Sequence, residues 1–94
     1  MKYLALLALL LLCTAQVQAQ QKLDCEDIVN DAEYAMMARQ VGEPMSNVLR
    51  YFRAYIVEHA YSKPIERKYD DKVRAIELFK LTYEIKCNEV NNGR

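Results

Sequence analysis

The chain has 94 residues, with 13 basic and 13 acidic side chains, two Gly, two Pro, three Cys and a single His. A chain this short forms one small domain and buries only about 60% of its unfolded surface, which excludes a core together with a deep substrate cleft. The even charge balance excludes a nucleic-acid binder held by an overall basic field, and equally a disordered acidic tail.

Residues 1–19 stand apart from the rest and hold 15 of the 49 hydrophobic residues. Lys2 supplies their one charge, Leu4 to Leu12 is an unbroken run of Leu and Ala, and polar Thr14 and Gln16 follow. Val17-Gln18-Ala19 then sets small or modest residues ahead of a cleavage point between Ala19 and Gln20. This is the three-part pattern of a secretory signal peptide. The apolar run from Tyr3 to Cys13 would be about 16 Å long as a helix, short of a hydrocarbon core of about 30 Å. A retained anchor and a lipid-modified Cys13 are the alternatives. The second normally requires a small residue before the cysteine, where this chain has Leu12. Export and cleavage leave a single domain over 20–94 with 12 basic and 13 acidic residues. Membrane contact is then confined to the signal peptide before cleavage.

Cleavage leaves two cysteines, Cys25 and Cys87. An even count in a small exported domain reads as a disulfide. No metal site is expected, since His59 is the only other soft ligand and zinc draws on three or four clustered ones.

Along 20–94 the periodicity is helical. From about 24 to 41, apolar residues fall at Cys25, Ile28, Val29, Ala32, Ala35 and Met36, the spacing of one helical face. Asp24, Glu26 and Asp27 crowd the start, where the helix dipole favours them, and Gly42 stands where a left-handed cap would end the helix. Ser46 is the expected N-cap of a second helix over about 47–62, with Val48, Leu49, Phe52, Ile56 and Ala60 as its buried stripe. Tyr51, Tyr55, Val57 and Tyr61 widen that stripe, and Pro64 stops the helix. A third helix is expected over about 71–88, opened by Asp70 and Asp71. It carries Val73, Ile76, Phe79, Tyr83 and Cys87 on one face and Leu78, Leu81 and Ile85 on another, which predicts packing against both other helices. Asn91-Asn92-Gly93 reads as a frayed end. The expected fold is all-α: a three-helix bundle stapled by one disulfide.

The frame of a Cys heading helix one, Ala38-Arg39-Gln40-Val41-Gly42-Glu43-Pro44-Met45-Ser46, Ala60-Tyr61 before Pro64, and Phe79 before a closing Cys87 resembles a known group. It is similar to the small exported two-cysteine helical proteins of unknown function found in phage and prophage genomes of Gram-negative bacteria. The resemblance runs from Cys25 to Cys87 and is most specific at Arg39-Gln40, Gly42 and Met45-Ser46. It implies a periplasmic location and a helical fold, and it brings no mechanism.

No catalytic residue or cofactor is expected. His59 lacks a nucleophile placed beside it by any recognisable motif, and Asp70-Asp71 is accounted for by a helix start. The basic residues Arg67, Lys68, Lys72 and Arg74 interleave with Glu66, Asp70, Asp71 and Glu77, the pattern of a solvated face. Arg39-Gln40 exceeds what a helix end requires. The expected partner surface is therefore an exposed hairpin tip bearing Arg39 and Gln40, with Tyr51, Tyr55 and Tyr61 nearby, because Tyr and Arg are enriched at interface hot spots. The functional expectation is a monomeric periplasmic module that binds an envelope or lysis component. The rival expectations are a membrane-active peptide, disfavoured by the slight negative charge, and a carboxylate-dependent hydrolase.

Overall fold

The computed structural model describes residues 23–93; the expected signal peptide, its cleavage point at Ala19 and Gln20, and Arg94 lie outside the described residues. Four helical segments follow in order: α1 (Cys25–Gln40), α2 (Met45–Val48), α3 (Ala54–Tyr61) and α4 (Tyr69–Asn92). No strand occurs among the described residues.

Helix α1 is the central element, and α3 and α4 both pack on it. Its start is capped by Asp24, whose carboxylate accepts from the Asp27 N–H at 3.3 Å. Its end is a Schellman turn: the Gly42 N–H donates to the Arg39 carbonyl and the Glu43 N–H to the Ala38 carbonyl. Gly42 closes that turn at φ 80°, a left-handed conformation that L side chains avoid. Ile28, Ala32, Ala35 and Met36 are buried along α1, and the two alanines are fully covered. Their small side chains leave room for neighbours on two sides, which is why α1 rather than the third helix holds the centre.

The expected second helix over 47–62 is corrected to two pieces. Helical hydrogen bonds carry past Val48, with the Phe52 N–H donating to the Val48 carbonyl, but Arg53 is extended at φ −60°, ψ 127°. Its backbone N–H donates to Asp31 Oδ2 on α1 at 3.2 Å, and its guanidinium Nη1 donates to the same oxygen at 2.7 Å. A carboxylate from another helix thus captures the N–H that the ladder would have used, and the chain restarts at Ala54. Ser46 is not the cap. The segment opens one residue earlier, after Pro44, whose φ of −61° suits a helix start.

The third helix is also longer than 71–88, reaching from Tyr69 to Asn92, with Asp70 and Asp71 in its first turn. It applies one face to the core, through Phe79 and Cys87 with Ile76 and Tyr83 beside them. The second stripe does not pack as expected. Leu78, Leu81 and Ile85 remain 57%, 48% and 49% exposed. The end of the helix is tied rather than frayed. Asn91 Oδ1 accepts from the Leu23 N–H, and its Nδ2 donates to the Leu23 carbonyl, both at 3.0 Å. Beside that clasp, the Cys25 and Cys87 sulfurs lie at disulfide distance, 2.08 Å, with their Cα atoms 5.7 Å apart.

Candidate functional site

The expected partner residues separate into two places. Arg39, Gln40 and Tyr61 come together, but as internal fasteners. Gln40 is buried, with 3% of its surface exposed. Its Oε1 accepts from the Glu66 N–H at 2.9 Å and its Nε2 donates to the Pro64 carbonyl at 3.0 Å. Arg39 Nε donates to the Lys63 carbonyl at 2.9 Å, and its guanidinium carbon lies 5.4 Å from the centre of the Tyr61 ring. The Tyr61 hydroxyl donates to the Glu43 carbonyl, and burial pushes its pKa up. Lys72 then caps α1 by donating from Nζ to the Gln40 carbonyl at 2.9 Å. These side chains hold the Lys63–Glu66 connection onto the end of α1. The expectation of Arg39-Gln40 as an exposed tip is corrected for this reason: Gln40 continues the buried series Ile28, Ala32, Met36 at intervals of four.

Tyr51 and Tyr55 lie elsewhere, at the break between α2 and α3, and are 78% and 56% exposed. The break is held in place on α1 by the Asp31–Arg53 pair and by Phe52, whose ring stacks on Tyr34 at 5.7 Å between centroids. An open hollow of about 480 Å³ sits beside it, lined by Asp27, Asn30, Asp31, Arg50, Tyr51, Phe52 and Arg53. Nothing in the local sequence marks this break, because its cause, Asp31, is 22 residues away in the chain.

A second concavity escapes a reading of motifs altogether. It is a groove of about 410 Å³ between the end of α3, the connection after it and α4. Met36, Pro64, Ala75, Leu78 and Phe79 form its apolar lining, and His59, Lys63, Glu66, Thr82 and Lys86 supply the polar groups. His59 is seated by Tyr83, its Nδ1 lying 2.8 Å from the hydroxyl oxygen, and by Phe79, whose ring centroid is 4.9 Å away. Burial, and after it Lys63 and Lys86, hold the imidazole pKa below its usual value. Burial likewise raises the Tyr83 phenol, with Tyr55 adding to the shift. His59 is therefore a neutral, packed side chain near pH 7.

Among the described residues, no group of three or more His, Cys, Asp or Glu is placed to hold a metal ion, and no helix is long and apolar enough to cross a membrane. No family model, curated protein or solved structure matches this chain.

Proposed function

We propose that the protein is an exported periplasmic module that acts by binding another protein, a component of the cell envelope or of a lysis system, and that it derives from a phage or prophage. In this reading residues 1–19 are removed as a signal peptide, and 20–94 works as a three-helix bundle stapled by its disulfide. The observation that supports it most is the helix break. Tyr51 is 78% exposed on a segment fixed to α1 by the Asp31–Arg53 pair. An exposed aromatic on a pinned backbone is pre-organised for contact and loses little conformational freedom on binding. Tyr55, just beyond the break, and Arg50 in the adjoining hollow enlarge the surface.

The test is capture from a periplasmic extract with the disulfide-bonded protein, run beside Tyr51→Ala/Tyr55→Ala. The expected result is one stoichiometric partner, retained by the wild type and lost by the variant at unchanged stability. Equal capture by both proteins would place the contact elsewhere. The intact mass of the exported protein tests processing, with Gln20 expected as its first residue; a species retaining 1–19, or a lipid mass on Cys13, contradicts the localisation.

A further inference from the structure

We propose that the groove beside His59 is a binding site for a single-chain amphiphile with one carboxylate head, of the fatty-acid class. Its size lies within the range of small-molecule sites, and its floor of Met36, Pro64, Ala75, Leu78 and Phe79 accepts a hydrocarbon chain. Three backbone groups of the connection that could otherwise engage a peptide are already used. The Lys63 and Pro64 carbonyls accept from Arg39 and Gln40, and the Glu66 N–H donates to Gln40. On the opposite wall the α4 backbone is committed to its own helix, and the Thr82 hydroxyl donates to the Leu78 carbonyl. A peptide lying in the groove would find few free backbone partners for its amides, a need that a methylene chain does not have.

Charge selects the head group. Lys63 and Lys86 are both exposed, and neither forms an ion pair among the described residues. Both line the groove with His59, so its polar side carries two ammonium groups beside one imidazole. Glu66 is the acid of the lining. It also borders the adjoining hollow with Asp71 and Arg74, toward the start of α4. Ala75 and Lys86 are separated by eleven residues of helix, about 16 Å, enough for a medium-length chain to lie along α4 with its head beside Lys86. The inference uses neither Tyr51 nor the helix break, and its failure leaves the proposed function standing.

The test is calorimetric titration of the disulfide-bonded protein with dodecanoate below its micelle concentration, with dodecyltrimethylammonium and acetate as the other arms. One dodecanoate per chain is expected, bound about tenfold or more tightly than the cationic amphiphile, with no heat from acetate. Lys63→Glu/Lys86→Glu, a change at two exposed positions, should weaken dodecanoate about tenfold. Thr82→Trp fills the groove and should abolish binding while the helical circular dichroism stays native; Ala75→Phe serves the same purpose should Thr82→Trp unfold. The proposal is overturned by equal binding of the two amphiphiles, by binding that survives the groove-filling variants, or by no binding of dodecanoate.

Discussion

Gln40→Ala removes a side chain that holds both a donor and an acceptor of the Lys63–Glu66 connection. The variant loses the bonds to the Pro64 carbonyl and the Glu66 N–H, at 3.0 and 2.9 Å, from a residue only 3% exposed. Two net hydrogen bonds are worth about 2 kcal/mol together, and a group orphaned away from water costs about 1–3 kcal/mol in its own right. The expected loss is thus about 3 kcal/mol, a fall in Tm of about 12–24 °C for a domain of this size. Urea unfolding followed by circular dichroism, with Tm from a parallel thermal scan, reads both quantities. Gln40→Glu keeps the acceptor for Glu66 but loses the donor to Pro64 and buries a charge, so it should be no better than alanine. A stability within about 0.5 kcal/mol of wild type for Gln40→Ala would refute the assignment and return Arg39-Gln40 to the status of a free surface.

Three further outcomes are expected. Cys87→Ser should cost about 4 kcal/mol in the chain-entropy model for a loop of this length, read by urea midpoints, and two alkylatable thiols in the oxidised wild type would contradict the pairing. Asp31→Ala deprives both the Arg53 N–H and its guanidinium of their acceptor, so it should destabilise by about 1.5–3 kcal/mol and more than Arg53→Ala, which leaves the backbone bond intact; the reverse order would show that Asp31 does not hold the break. Because the folded state lowers the His59 pKa, the unfolded chain binds the proton first on acidification: the stabilisation is full above about pH 6.5 and is lost as pH falls below it, and a His59→Gln variant whose stability changes equally between pH 7.5 and 5.5 would contradict this.

Helix α1 was legible almost residue by residue, because Asp24, the 3–4 spacing and Gly42 act through neighbours within one turn. The cysteine count was equally local in its logic, and the two sulfurs do meet. The break at Arg53 was not legible. Val48, Leu49, Phe52 and Ile56 keep helical spacing without Gly or Pro, and the interruption comes from a carboxylate on another helix. Gln40 was misread because a polar residue near a helix end defaults to solvent. Its place four residues after Met36 was the available signal, and it required reading position before polarity. The extension of α4 beyond residue 88 is secured by the Asn91 clasp on Leu23, a partner 68 residues away. The His59 groove arises from three segments brought together only by folding, so no spacing in the sequence encodes it.

The bond between Cys25 and Cys87, with Asn91 gripping Leu23 beside it, turns the intervening chain into a ring. A ring cannot peel from its ends. Most small helical domains begin to open by fraying there, whereas here the first and last turns are among the parts most firmly secured. Opening must instead begin inside the loop, away from the two cysteines. Hydrogen exchange in the turns beside the two cysteines would then be slow, the reverse of the usual order at chain ends.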